Sequence, residues 1–235
     1  IPVADLTAGL FCAIGILTAL LERDVSGEGQ WVQTSLLQAQ IFMLDFQAAR
    51  WLVDGDVPQQ AGNNHPTSIP TGVFKTSDGH INIAASGNNL WKRFCTALDA
   101  PQLFDHPEHA TPALRSQHRK ALNQRIGEIT KTNSSAHWID TINKAGVPCG
   151  PINTLDQVFA EPQLAARGMR FDLTHPLAGS VPQVALPVRF SGGPVTSDLP
   201  PPLHGEHTRQ VLRERLGYDD ARIAAILRWS ALPGG

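Results

Sequence analysis

Ala4-Asp5-Leu6-Thr7-Ala8-Gly9-Leu10, continued by Gly15-Ile16-Leu17, Ala19-Leu20 and Arg23 and closed by Ser26-Gly27-Glu28-Gly29-Gln30, governs how the rest of the chain is read. No charged residue interrupts the run from Leu6 to Leu21. The spacing predicts a helix over residues 5–23 that is apolar on nearly every face, hence buried all round rather than amphipathic. Ser26 to Gly29 offers the φ > 0 positions that end a helix. Gly9, Gly15, two threonines and a run shorter than about 20 residues favour a core helix over a membrane span. Asp5 stands at the mouth of this helix. Its local pattern suits an N-cap that accepts from the Thr7 or Ala8 backbone N–H. The same place stabilises a carboxylate and presents it to a ligand.

Composition narrows the classes. The 235 residues carry a net charge of -2 and a pI near 6.5, which gives no electrostatic case for nucleic acid or a membrane surface. Cys12, Cys95 and Cys149 lie far apart and are odd in number. They predict reduced thiols, a cytoplasmic setting, and neither a disulfide framework nor a metal site.

Downstream, Gln30 to Ser35 reads as a short strand and Leu36 to Val53 as a helix. Residues 54–70, rich in Gly, Asn and Pro, are a loop. Residues 72–86 predict a hairpin, with Thr76-Ser77-Asp78-Gly79 as its turn and Ile81, Ile83 and Ala85 on one face. Helices are expected at 89–98, 112–132 and 135–145, the last with a Ser cap. A strand begins in 146–152, and helical turns over 154–168 break at Pro162. A second hairpin spans 169–191 around Ala178-Gly179. A Pro-rich linker over 192–202 leads to helices at 206–216 and 219–230.

The motifs then resemble, in order, one known family. Asp5 to Ser35, Gly62-Asn63-Asn64-His65-Pro66, Asp78-Gly79, Gly146-Val147-Pro148-Cys149-Gly150-Pro151 and Gly205-Glu206-His207-Thr208 are similar to the family III coenzyme A transferases. That group includes formyl-CoA transferase, carnitine CoA-transferases and alpha-methylacyl-CoA racemase. The resemblance implies an α/β fold with a small α+β domain, corresponding to the C-terminal part of the family fold. Residues 1–53 would be the helical end of a Rossmann-like large domain, and 54–70 a linker. Residues 71–150 would form the small domain, 151–202 a return segment and linker, and 203–235 helices packing on the large domain. In the family a nucleotide-binding half precedes the Asp motif, so a chain beginning Ile1-Pro2 is expected to be part of a longer protein. Family chains interlock as homodimers. The apolar helix supports missing mass independently, because its Leu and Ile residues would otherwise leave a large apolar surface uncovered.

The resemblance makes Asp5 the nucleophile. Its carboxylate would attack an acyl-CoA to give a mixed anhydride, then an aspartyl-CoA thioester that a free carboxylic acid displaces. Acyl-CoA and carboxylic acid are thus the partners, and CoA enters as substrate with no further cofactor. Asn63, Asn64 and His65 resemble an Asn-x-His-Pro loop on the substrate side, where amide and imidazole donors suit a carboxylate or oxyanion. They equally fit a polar linker with Asn and Gly in turn conformations. Asn88 and Asn89 lie where the racemases place an acid, so transfer is favoured over racemisation, which needs two opposed bases. The alternatives are a 2-methylacyl-CoA racemase-like isomerase and an incomplete, non-catalytic chain that needs its other half. His106 and His109 fall in a Pro-bounded loop without metal-ligand register. Glu206 is expected near the start of a helix. Cys149 is expected to be a small buried hydrophobe, and Arg23 and Arg50 are expected to pair with carboxylates.

Overall fold

A computed structural model describes residues 1–193 and 199–230. The chain divides into two compact units, Ile1–Ile152 and the residues from Asn153 onward.

The first unit opens with α1, Val3–Ser26. It starts two residues earlier than expected and ends on Gly27 at φ 78, whose N–H closes onto the Arg23 carbonyl. Asp5 therefore lies inside the first turn and is not the cap, a position taken by Pro2. At 24 residues, α1 is long and apolar enough to cross a membrane by length and composition, a test that core helices also pass. Only Ala8 of α1 is buried, while Leu10, Leu17 and Leu21 are 63%, 62% and 71% exposed. The apolar ring is present as read, but in this chain most of it is uncovered.

The segment from Gln30 to Ser35 is not a strand. No neighbouring strand among the described residues receives its backbone groups, and a ladder needs a partner. It runs irregularly beside α1, with the Val32 side chain against Gly15. A Cβ at Gly15 would stand 2.8 Å from Val32 Cγ1. The helix expected over 36–53 is two helices, α2 (Leu36–Phe42) and α3 (Phe46–Asp54). Asp45 sits between them at φ 50, a left-handed conformation that a right-handed helix cannot contain. Ser35 caps α2 by accepting from Gln38 N at 3.2 Å. The Phe11 and Phe42 rings meet edge to face at 5.1 Å.

The remainder of this unit is the small α+β body. Strands β1 (Thr71–Lys75), β2 (His80–Ala84) and β3 (Cys149–Pro151) form an antiparallel sheet in that order. Register places Phe74 opposite Ile81 and Ile83 opposite Cys149. Ile81, Ile83 and Ala85 are fully buried, as their alternation predicts. Helices α4 (Asn88–Ala97), α5 (Pro101–Phe104), α6 (Pro112–Gln117), α7 (Arg119–Thr130) and α8 (Ser135–Lys144) contribute the rest of the core. Trp91, Phe94, Leu122, Ile126, Trp138 and Ile142 pack there with the sheet residues. The single helix expected over 112–132 is thus divided at His118, which leaves helical geometry at ψ 19. Ser134 caps α8 by accepting from His137 N.

Three polar links lock this body. Thr130 Oγ1 donates to Lys75 O at 2.7 Å, and Trp138 Nε1 donates to Thr130 O at 2.7 Å. The Asn143 amide both donates to Cys149 O and accepts from Cys149 N, at 3.0 Å each. It extends the ladder of β3 to α8.

The second unit holds α9 (Leu155–Ala160) and α10 (Pro162–Ala166), broken at Pro162 as read. The hairpin of β4 (Arg170–His175) and β5 (Gly179–Val184) turns where His175 Nδ1 accepts from Leu177 N and Ala178 N. Helices α11 (Thr208–Glu214) and α12 (Asp220–Ser230) follow. Part of the linker expected over 192–202, residues 194–198, lies outside the described residues.

Candidate active site

Asp5 lies in the first turn of α1, is exposed, and its carboxylate makes no hydrogen bond or ion pair among the described residues. Val3 and Ala4 carbonyls accept instead from Thr7 Oγ1, so the polar atoms around Asp5 satisfy one another and leave its oxygens free. An anion at this end of a 24-residue helix meets the positive end of the macrodipole and backbone N–H groups without intrahelical partners.

The 62–66 loop is ordered by its own contacts. His65 N donates to Thr71 O at 2.8 Å, Val73 N donates to Asn63 O at 3.1 Å, and Asn64 bridges to Gly72. His65 Nδ1 accepts from Thr67 N at 3.2 Å and Ser68 N at 2.9 Å. Nδ1 is therefore an acceptor, which leaves Nε2 as the ring nitrogen that carries the proton of the neutral imidazole. The ring stacks on Phe46 of α3, centroids 5.7 Å apart and planes 5° apart. Asn64 behaves differently from its neighbours. Its Oδ1 accepts from Asn123 Nδ2 at 3.0 Å and its Nδ2 donates to Ala61 O. Most of that amide is committed to the fold. Asn63 is exposed, and its side chain has no described partner. None of the described hydrogen bonds or ring contacts links Asp5 to this loop.

Asn88 has a place that sequence reading does not foresee: its Oδ1 accepts from Arg115 Nη2 at 3.1 Å. Arg115 is fully buried and also donates through Nε to Ile69 O at 3.1 Å and through Nη1 to His109 O at 2.8 Å. Burial lowers its pKa from the ordinary guanidinium value.

The other candidates resolve as structure. The His106 and His109 rings stack at 4.6 Å. His106 Nδ1 accepts from Glu108 N, while buried His109 donates from Nδ1 to Leu103 O. Among the described residues no group of three metal-ligating side chains forms. Cys149 is half-buried, less deeply than expected, and burial pushes its thiol up to about 11. It stays protonated at neutral pH and does not compete as a nucleophile. Arg50 pairs with Asp56, whereas Arg23 has no ion pair among the described residues. Glu206 accepts from Leu203 N at 2.7 Å and so closes the turn before α11.

Residues 1–208 match the family described as CoA-transferase family III. The chain belongs to CoA-transferase family III. Within it, the chain is 33% identical over 227 residues to a human protein named succinyl-CoA:glutarate CoA-transferase, covering 97% of this chain and 52% of that protein. It is 29% identical over 247 residues to a formyl-CoA:oxalate CoA-transferase of Rhodopseudomonas palustris, covering 95% of this chain and 58% of that one. Among solved structures, a CAIB/BAIF family protein from Brucella suis superposes with a TM-score of 0.74 at 34% identity, covering 90% of this chain and 55% of that chain. The mixed helix-and-sheet family III fold is thereby established, as the ordered motifs implied. The chain spans about half the length of the curated relatives it matches.

Proposed function

We infer that the protein transfers coenzyme A between an acyl-CoA and a free carboxylic acid, with Asp5 as the covalent nucleophile. The observation that carries this is the unpaired, exposed carboxylate of Asp5 in the first turn of α1, inside a family III match that begins at residue 1. Asp5 attacks the thioester carbonyl, the C–S bond breaks, and a mixed anhydride and CoA thiolate result. The thiolate attacks the aspartyl carbonyl of the anhydride, which releases the donor carboxylate and leaves an aspartyl-CoA thioester. The acceptor carboxylate attacks that thioester to give a second anhydride and thiolate. The thiolate then attacks the acyl carbonyl, forming the new acyl-CoA and regenerating Asp5. Atoms balance without an oxidant, a metal or a further cofactor.

Asn63 and His65 Nε2–H are the donors we place on the substrate side, with Asn64 holding their backbone. Glutarate and oxalate in the names of the relatives suit such donors, because the second carboxylate of a short dicarboxylic acid needs partners of its own. We therefore favour a dicarboxylic acceptor. An interlocked homodimer that covers the apolar faces of α1 to α3, and a cytoplasmic setting suited to free thiols, belong to the same inference. The amide of Asn88 is spent on Arg115, and neither it nor Asn89 is a base at neutral pH, which favours transfer over α-proton exchange.

The test uses protein expressed from the complete reading frame. It is incubated with a chiral 2-methylacyl-CoA in deuterated water and, separately, with acyl-CoA and a panel of mono- and dicarboxylic acids. Transfer to an acid without deuterium at the α-carbon is expected. Deuterium uptake with no transfer to any acid would establish the isomerase alternative instead.

A further inference from the structure

Three donors at four-residue spacing grip the 62–69 segment from one side. Arg115 Nε donates to Ile69 O, Arg119 Nη2 donates to Pro66 O, and Asn123 Nδ2 donates to Asn64 Oδ1. As α6 and α7 advance from 115 to 119 to 123, their acceptors step back from 69 to 66 to 64, so helix and loop run antiparallel like the sides of a ladder. Arg119 and Asn123, four apart within α7, share a helical face, and Arg115 of α6 adds the third donor from the other side of the break at His118. Backbone contacts hold the loop as well. Asn64 bridges to Gly72, where an added Cβ would stand 2.6 Å from Asn64 Oδ1 and 2.8 Å from Asn63 O. Within the loop, His65 Nδ1 is occupied by two backbone N–H groups. Once these contacts are made, the Asn63 side chain and His65 Nε2 are left without a described partner in the Asn63-Asn64-His65 turn, as are the Thr67 and Ser68 hydroxyls beside it.

We propose that Arg115, Arg119 and Asn123 form a donor ladder that holds the Asn63-Asn64-His65 turn in the conformation that binds the acceptor carboxylate, making them positioning residues for CoA transfer. The proposal rests on the reading of that turn as the substrate-side contact. A linker needs only to reach from α3 to β1. This one instead consumes a fully buried guanidinium whose described acceptors, Ile69 O, His109 O and Asn88 Oδ1, are all neutral. Burying a cation with no carboxylate beside it is costly, whereas donors that must meet a small anion need placement to within about 0.5 Å. Arg119 and Asn123 are the rungs open to test, because both are only half-buried.

The experiment compares Asn123→Ala, Arg119→Met and Arg119→Lys with wild type, in protein from the complete reading frame. Two readings are taken: KM for acyl-CoA and acceptor separately, and backbone hydrogen exchange over residues 63–68. Loss of one rung is expected to raise the acceptor KM about tenfold and to speed exchange in the loop by a similar factor. KM for acyl-CoA and the thermal midpoint should hold, and Arg119→Lys should recover most of the Arg119→Met defect. An unchanged acceptor KM in the folded variants overturns the ladder, whether or not exchange rises. So does a parallel loss for both substrates with a fallen melting midpoint, which marks a structural role alone. His65→Ala and Asn63→Ala separate the two levels. If they raise the acceptor KM and the ladder variants do not, the ladder fails and the substrate loop stands. If they change nothing, the substrate loop fails and the ladder proposal falls with it. Inactivity of the wild type would overturn the transferase reading and the positioning role with it, while exchange over residues 63–68 would still report whether the rungs hold the loop.

Discussion

Asp78 shows how one side chain fastens two elements distant in sequence. Its Oδ1 accepts from Ser135 N at 2.7 Å, Ser135 Oγ at 2.9 Å and Thr76 Oγ1 at 3.1 Å, binding the β1–β2 turn to the start of α8. The Ser135 backbone N–H, followed by its hydroxyl, holds the carboxyl below the ordinary carboxylate range. A carboxyl whose folded pKa is depressed contributes stability that is complete above its unfolded value, near 3.9, and is lost as pH falls through the folded value. The thermal midpoint of wild type should therefore fall more steeply below about pH 4 than that of Asp78→Asn, with the curves converging in stronger acid. Parallel curves would show that the turn is held elsewhere. Arg115 carries the larger stake. Arg115→Leu strands the acceptors of Ile69, His109 and Asn88 around an apolar side chain. It should destabilise the protein by on the order of 3 kcal/mol, read from chemical denaturation.

Among the glycines, Gly72 of β1 leaves the least room for a side chain. Gly72→Ala would drive a methyl group into backbone and amide atoms of the turn, since its Cβ would lie under 3 Å from both Asn64 Oδ1 and Asn63 O. The acceptor KM should rise at least as much as in Asn123→Ala, with a modest fall in stability. An unchanged KM would mean that the turn can yield without loss of binding. The hairpin itself is legible in the sequence because Ile81, Ile83 and Ala85 alternate about a Thr-Ser-Asp-Gly turn, and period-2 burial has no other reading. The same holds for the Ser134 cap and the break at Pro162. Gln30 to Ser35 misleads because Trp, Val and Thr report a preference for extended backbone but not whether a partner strand is present. The division of 36–53 depends on one residue, Asp45, adopting φ 50, which hydrophobic spacing does not register. Asn64 reads as polar loop chemistry and Asn88 as the place where the racemases carry an acid, but their partners Asn123 and Arg115 lie 59 and 27 residues away. No local pattern encodes those pairings.

At the scale of the whole molecule, the apolar surface of α1 to α3 is the dominant feature. Leu10, Leu17, Leu21, Trp51, Leu52 and Val53 are all exposed. Ile41, Leu44, Trp51, Leu52, Val57 and Pro58 line an open cavity of about 650 Å³. Monomers rarely expose continuous apolar patches beyond a few hundred Å². The 235-residue chain by itself should therefore associate or bind an apolar dye strongly in light scattering and fluorescence. A cooperative monomer with no dye response would show that these faces are covered in another way. The function inferred for the protein concentrates on Asp5, the carboxylate proposed to become covalent. The direct measurement is mass spectrometry of protein from the complete reading frame, quenched after brief exposure to an acyl-CoA donor and digested with trypsin. A CoA thioester on the peptide ending at Arg23, localised to Asp5 and absent from Asp5→Ala along with all turnover, is the predicted result. Turnover persisting in Asp5→Ala, or CoA attached to a different residue, would contradict it.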